Sequence, residues 1–186
     1  MMARRAVMGL LGGLAVVTVA GCDPFVRSAS YRFRMTVEIE TPQGVRRGSS
    51  VMEVVAQKGS FSLGDTTGNG VGLAGEAVVV DLPTGPVFVL LELPDARGPL
   101  ASVATVALAP DARGGDGSNF FSAVKRLGGW FGSASAELPR ESWPMMVRFR
   151  DINDPKSVEP SQIGVKRILL ETTSEPVTTG IKLRLP

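Results

Sequence analysis

The chain has 186 residues, with 22 Gly and 13 Pro but a single Cys and no His, and its 20 basic residues nearly balance its 18 acidic ones. A sequence without histidine excludes Ser-His-Asp catalysis and histidine-based zinc sites. A single cysteine excludes an internal disulfide. The glycine and proline content favours many turns and short strands over long helices.

The first 21 residues have the three-part layout of a secretory signal peptide. Arg4 and Arg5 precede an uncharged apolar stretch, Ala6–Val17, and small residues follow it. The stretch is shorter than the roughly 20 residues that a permanent membrane-spanning helix needs. The segment carries two of the 20 basic residues and none of the acidic ones, so the rest of the chain is formally neutral. Charge therefore gives no argument for nucleic-acid binding.

VAGC, Val19–Cys22, spans the end of this segment and the residue after it, and resembles the lipobox of bacterial lipoproteins: an aliphatic residue, two small residues and a cysteine. The resemblance implies that Cys22 is the lipid attachment residue, with diacylglycerol and acyl chains such as palmitate, and that cleavage removes residues 1–21. It also implies a lipid-anchored location in the cell envelope, facing the periplasm, with Asp23 as a sorting residue that favours the inner over the outer membrane. The alternative is a plain signal peptide or an uncleaved anchor.

A short lipidated tether, residues 22–30, precedes the clearest pattern in the sequence. Over Tyr31–Glu40, apolar and polar residues alternate, which predicts a strand with one buried face. The turn-forming residues TPQG follow, and Val45–Val55 predicts a second strand. We expect the two strands to form an antiparallel hairpin.

The middle of the chain predicts a loop, a second hairpin and a helix. Lys58–Gly75 is rich in glycine and polar residues and predicts an exposed loop. Glu76–Leu82 and Val87–Leu93 are apolar runs on either side of a turn and predict a more buried hairpin. Leu100–Ala109 fits either a helix or a strand, whereas Asn119–Leu127 predicts a helix.

Strands are predicted again near the C-terminus, over Pro144–Arg150 and Val165–Thr172, with Val177–Leu185 as a further candidate. We find no internal repeat and no boundary for a second domain. Together the elements predict a sheet-dominated α+β fold: a largely antiparallel sheet of hairpins with one or two short helices, in a single periplasmic domain over residues 31–186.

Four blocks of the chain resemble a group of uncharacterised bacterial envelope proteins: YRFRMTVEIETPQGVRRGSSV, GEAVVVDLP, MVRFRDINDPKSVE and SEPVTTGIKLRLP. The blocks cover about a third of the chain after the signal segment. This resemblance implies a single domain and an exported location. It brings no known activity and no catalytic residue.

Three motifs that suggest chemistry have simpler explanations. Gly70–Gly75 matches G-x-G-x-x-G but lacks a predicted strand before it and a helix after it, which favours a flexible loop over a dinucleotide site. Asp151–Glu159 gathers oxygen ligands suited to calcium, but a turn capped by its own side chains is favoured. Ser49–Ser50 with Lys58 would suggest a Ser-Lys dyad, but they fit the polar face of a strand.

The first hairpin carries four arginines: Arg32, Arg34, Arg46 and Arg47. If they faced outward together, they would form a basic patch for anionic lipid headgroups near the anchor. The favoured alternative is that they pair with glutamates of the same hairpin, namely Glu38, Glu40 and Glu53.

Trp130 and Phe131 are flanked by glycines on both sides. An aromatic pair in such a segment predicts either contact with a membrane or partner, or burial as a plug of the core. Burial is the favoured interpretation.

The sequence predicts a lipid-anchored envelope protein that serves as a non-catalytic binding or assembly module at the membrane surface. Its expected partners are the membrane, through lipid on Cys22, and an unidentified envelope protein; no cofactor, metal or nucleic acid is expected. The alternatives are a carboxylate-dependent periplasmic hydrolase and a carrier of an apolar ligand. The hydrolase requires converging acidic groups with raised pKa values, and the carrier requires an enclosed pocket.

Overall fold

The computed structural model describes residues 26–59, 70–94, 98–114, 117–161 and 164–185. Within these ranges lie nine strands and two α-helices: β1 Val26–Thr41, β2 Gly44–Gly59, β3 Gly70–Ala74, β4 Val78–Leu82, β5 Gly85–Val89, α1 Leu100–Leu108, α2 Ser118–Leu127, β6 Ser135–Glu137, β7 Met146–Phe149, β8 Val158–Pro160 and β9 Val165–Thr172. Neither helix has the length and hydropathy that a membrane-spanning helix requires.

The strands form two antiparallel sheets. The five-stranded sheet has the order β3-β2-β1-β9-β6, and the four-stranded sheet has the order β4-β5-β7-β8. Strands hold 45% and helices of all kinds 23% of the described residues. The prediction of a sheet-dominated, antiparallel α+β fold is therefore confirmed.

The first hairpin is longer than predicted. β1 and β2 pair without interruption from Val26 opposite Gly59 to Thr41 opposite Gly44. The predicted alternation holds along β1, where the inward-facing side chains from Tyr31 to Ile39 are at most 3% exposed. Since β1 begins at Val26, the strand includes residues that we assigned to the tether.

One hydrophobic cluster joins side chains from both sheets and both helices. Leu100–Ala109, which fitted helix or strand, forms helix α1 up to Leu108. Its buried positions recur at spacings of three and four residues, which is the pattern of a helix with one face on the core. A hydrogen bond of 3.0 Å between the hydroxyls of Tyr31 and Thr105 joins α1 to β1 inside this core.

Several shorter elements differ from the predictions. Part of the predicted loop, Gly70–Ala74, forms the edge strand β3, and residues 60–69 lie outside the described ranges. The predicted second hairpin is confirmed as β4 and β5. β6 and β8 were not predicted, because three residues are too few to show a periodic pattern.

The segment after β9 crosses the outer face of the five-stranded sheet and forms no strand. The Thr173 amide donates to the carbonyl oxygen of Arg32 at 3.0 Å, and the Thr178 amide donates to that of Val51 at 3.0 Å. The Val51 amide donates in turn to Thr178 Oγ1 at 2.8 Å. The predicted strand over Val177–Leu185 is therefore wrong; a short 3₁₀ turn, Ile181–Leu183, lies there.

Candidate functional site

The four arginines of the first hairpin do not share one face. The register places Arg32, Arg34 and Arg47 on the face that points away from the core. Arg46 lies opposite Ile39, which is buried, and therefore belongs to the other face of the sheet. The basic patch proposed from the sequence thus lacks one of its members.

Glu38 is a buried carboxylate on that outer face. It lies between its direct cross-strand neighbours, Arg47 of β2 and Arg167 of β9. Arg47 Nε donates to Glu38 Oε1 at 2.7 Å, and Arg167 Nε donates to Oε2 at 2.8 Å. These hydrogen bonds, that of Arg167 above all, hold the pKa of Glu38 below its usual range. The three side chains form an ion-pair network across three strands.

The other two outward arginines are also engaged. Arg32 Nε lies 3.8 Å from Glu53 Oε1, and Arg32 Nη1 donates to the carbonyl oxygen of Glu175 at 3.4 Å. Arg34 forms an ion pair with the Glu175 carboxylate, in the segment that crosses the sheet. Arg32 and Arg47 thus pair within the hairpin, as the favoured interpretation expected, and Arg34 finds its partner outside it.

Trp130 and Phe131 lie in the turn that follows α2, and we call Gly128–Ser133 the aromatic turn. Trp130 is 95% exposed and Phe131 is 93% exposed. The favoured prediction that they plug the core is therefore wrong. Two exposed aromatic side chains at adjacent positions make this turn a candidate interaction surface.

Backbone contacts hold the aromatic turn against β1 and β9. A Cβ atom on Gly128 would lie 2.0 Å from the carbonyl oxygen of Ser30, so the turn comes this close to β1 only with glycine there. Beyond the turn, the Ala134 amide donates to Thr172 Oγ1 at 2.9 Å, and the Thr172 amide donates to the Ala134 carbonyl oxygen at 2.9 Å. The two rings therefore project from a backbone that is fixed on both sides.

A groove of about 640 Å³ lies beneath the aromatic turn. Ser30, Tyr31 and Arg32 of β1 form one side of it, and residues 172–174 form another. The groove is open to solvent, since Trp130 borders it and is almost fully exposed. It does not match the enclosed pocket that a carrier of an apolar ligand requires.

Three basic residues lie beside this turn, and we call Arg27, Lys58 and Lys125 the basic cluster. Arg27 and Lys58 are opposite each other at the open end of the β1–β2 hairpin, and Lys125 is in the last turn of α2. Two adjoining surface cavities of about 470 and 330 Å³ both border Arg27, Lys125 and the ring of Phe121. No ion pair among the described residues includes any of the three.

The basic cluster and the aromatic turn form one continuous surface. Ser30 and Gly128 border both the groove beneath the turn and the larger cavity at the cluster. We call Arg27, Lys58, Lys125, Trp130 and Phe131 the basic–aromatic face. The sequence prediction missed the cluster because its strands stopped short. Continuing the hairpin register outward from the TPQG turn would have paired Arg27 with Lys58.

The glycine motif and the Ser-Lys motif have structural roles. Gly70–Ala74 pairs with β2 as strand β3, so both the dinucleotide site and the flexible loop are wrong. Ser50 Oγ donates to the carbonyl oxygen of Glu76 at 2.9 Å. Lys58 is eight residues further along β2, which at about 3.3 Å per residue is roughly 26 Å away. The two cannot form a dyad.

The acidic segment after β7 is a capped turn, as favoured. Asp151 Oδ1 accepts a hydrogen bond from the Asn153 amide at 2.9 Å, and Asp154 Oδ1 accepts one from the Lys156 amide at 2.9 Å. Glu159 instead pairs with an arginine of β7. The described part of the chain holds no group of three acidic, histidine or cysteine side chains that could bind a metal ion.

Among the described residues, the carboxyl groups with clearly shifted pKa values are Glu38, Asp111 and Glu175. In each case the pKa is lowered, first of all by a hydrogen bond from an arginine. A hydrolase of the predicted kind needs a carboxyl group whose pKa is raised by burial or by another carboxylate. These three groups therefore do not favour that alternative.

Cys22 and Asp23 lie outside the described residues. No protein-family model, curated protein or solved structure matches the chain. We therefore infer function from the N-terminal sequence and from the geometry of the basic–aromatic face.

Proposed function

We propose that this protein is a lipid-anchored cell-envelope protein whose domain serves as a non-catalytic binding or assembly module at the membrane surface. The observation that carries the proposal is the position of the basic–aromatic face, at the end of the domain where the chain arrives from Cys22. β1 begins at Val26, four residues after Cys22. Since extended backbone spans at most about 3.6 Å per residue, Cys22 lies within about 14 Å of that end.

In this proposal Cys22 is the first residue of the mature protein and carries diacylglycerol and acyl chains. Two or three acyl chains give a stable anchor, whereas a single chain binds only marginally. The domain faces the periplasm, and Asp23 retains the protein in the inner membrane. The resemblance of four sequence blocks to bacterial envelope proteins agrees with this location.

The anchor contributes to function by confinement. A domain held at a bilayer meets any partner at the same bilayer at a raised effective concentration, without additional contacts. The partner that we propose is an envelope protein. The exposed rings of Trp130 and Phe131 are a surface feature suited to binding at the membrane rather than to catalysis.

Labelling with an alkyne analogue of palmitate tests the proposal. Wild type, Cys22→Ser and Asp23→Ser are expressed in a Gram-negative host, and inner and outer membranes are separated by density. We expect label on wild type in the inner membrane, no label on Cys22→Ser, and labelled Asp23→Ser in the outer membrane. Absence of label from wild type would contradict the anchor, and labelled wild type in the outer membrane would contradict the role of Asp23.

A further inference from the structure

We propose that the basic–aromatic face docks on an anionic bilayer leaflet, with Trp130 and Phe131 in the headgroup region and Arg27, Lys58 and Lys125 against the anionic headgroups. This inference deepens the proposed function and rests on its anchored location. It adds an orientation of the domain: the open end of the first hairpin lies at the membrane surface, and its TPQG turn points away from the membrane.

The composition of the face matches the interfacial layer of a bilayer. Tryptophan is enriched at membrane–water interfaces because its ring is largely apolar and its N–H group is polar. Trp130 is 95% exposed and its neighbour Phe131 is 93% exposed, so both rings are available for transfer out of water. The backbone hydrogen bonds beside the aromatic turn hold the backbone that bears these rings before docking, which lowers the entropy lost on binding.

The charge of the face matches an anionic leaflet. No ion pair among the described residues includes Arg27, Lys58 or Lys125, so their charges remain available to a partner. A basic side chain near an anionic surface strengthens binding by about fivefold. Arg32, Arg34 and Arg47 do not contribute in this way, because each of them is paired with a glutamate.

The short connection to Cys22 selects a bilayer over other occupants. The interfacial layer of one leaflet is only about 5–7 Å thick. A tether of at most about 14 Å therefore cannot hold the start of β1 far above it. The face that surrounds this start, rather than the distant TPQG turn, must meet the lipid surface.

Fluorescence quenching by brominated lipids tests the docking. The chain has two tryptophans, so Trp143→Phe leaves Trp130 as the only one. The protein is purified from host membranes and reconstituted into vesicles of phosphatidylethanolamine with phosphatidylglycerol, with bromine on the acyl chains. We expect a blue-shifted Trp130 emission that is quenched by bromine near the headgroups and protected from acrylamide. Trp130 emission typical of a tryptophan exposed to water, without quenching by bromine, would overturn the docking.

A tryptophan at the far end of the same hairpin is the matched control. Val45 is 39% exposed and lies beside the TPQG turn, opposite Glu40. Fourteen residues of strand separate Glu40 from Val26, which is roughly 46 Å at about 3.3 Å per residue. In Trp130→Phe/Trp143→Phe/Val45→Trp, the new tryptophan should stay unquenched. Quenching as strong as that of Trp130 would overturn the proposed orientation.

A triple substitution tests the basic cluster. Replacing Arg27, Lys58 and Lys125 with glutamine should lower the ratio of docked to undocked protein by about a hundredfold on anionic vesicles, at about fivefold per charge. The control removes the same number of charges elsewhere, with glutamine at the exposed Lys156, Lys166 and Lys182. An equal loss in the control would overturn the cluster as the binding site, because net charge alone would then explain it.

The mass of the same preparation separates the two proposals. A lipidated protein whose Trp130 remains in water keeps the anchor and overturns the docking. A protein without lipid whose Trp130 is quenched, while the tryptophan in Val45→Trp is not, keeps the docking and overturns the anchor.

Discussion

The hydroxyl pair of Tyr31 and Thr105 gives a sharp test of how α1 packs on the sheet. Thr105 is fully buried, and its Oγ1 donates to the Ala101 carbonyl oxygen at 2.7 Å. A threonine hydroxyl has one proton, so the 3.0 Å contact with Tyr31 must be a bond that Tyr31 donates and Thr105 accepts. The two partners therefore depend on the contact unequally.

This asymmetry sets the expected magnitudes. Tyr31→Phe leaves Thr105 bonded to Ala101, so it removes only the net value of one hydrogen bond, about 1 kcal/mol. Thr105→Val leaves the buried hydroxyl of Tyr31 without an acceptor, which costs about 1–3 kcal/mol in addition to the lost Tyr31–Thr105 hydrogen bond. In the double variant both partners are apolar, so its loss should return to that of Tyr31→Phe alone, about 1 kcal/mol.

Urea unfolding measures these differences. The four chains share a background of residues 22–186 with Cys22→Ser, and the free energy of unfolding is taken from the midpoint and the slope of each transition. We expect Thr105→Val to be the least stable, with Tyr31→Phe added to it restoring stability. Equal losses for the two single variants, or losses that add in the double variant, would contradict the packing of α1 on β1.

Three further predictions concern other buried or crowded groups. Burial raises the pKa of Tyr31, the only tyrosine, so the folded state binds the phenol proton more tightly than the unfolded state does. The free energy of unfolding should therefore fall by up to about 1.4 kcal/mol per pH unit above about pH 10. Urea midpoints measure this fall, and Tyr31→Phe should not show it. The Arg167 hydrogen bond lowers the pKa of Glu38, so the ionised Glu38 stabilises the folded state above about pH 4.3, and this contribution is lost as pH falls through the lower pKa of the folded state. Glu38→Gln should therefore lower the free energy of unfolding at pH 7, and its difference from wild type should shrink on acidification. Gly128→Val should displace the aromatic turn from Ser30, which near-ultraviolet circular dichroism detects, and an unchanged spectrum would contradict this close approach.

The sequence predicted those parts of the fold that have a long periodic pattern. The alternation over Tyr31–Glu40 gave both the strand and its buried face, since each inward position must be apolar. The sequence alone does not distinguish helix from strand over Leu100–Ala109, because an alanine- and valine-rich segment suits either element. In the structure, packing against the sheet determines that this segment is a helix. One face of the helix is buried, and Thr105 forms a hydrogen bond with the hydroxyl of Tyr31.

The basic–aromatic face was predicted only in part, for a different reason. Trp130 and Phe131 were identified as contact candidates, but local sequence does not say whether a ring beside glycines points inward or outward. The turn that bears them is positioned by the close approach of Gly128 to Ser30, which is a contact between distant parts of the chain. Lys125 was missed because it meets Arg27 and Lys58 only through packing of α2 at the open end of the hairpin.

The intact mass of the protein purified from the membranes of a Gram-negative host tests the central claim most directly. We predict the mass of residues 22–186 plus a diacylglycerol group, with or without a further acyl chain. An unmodified chain that still includes residues 1–21 would contradict this claim, because an uncleaved N-terminal anchor rather than lipid on Cys22 would then hold the protein at the membrane.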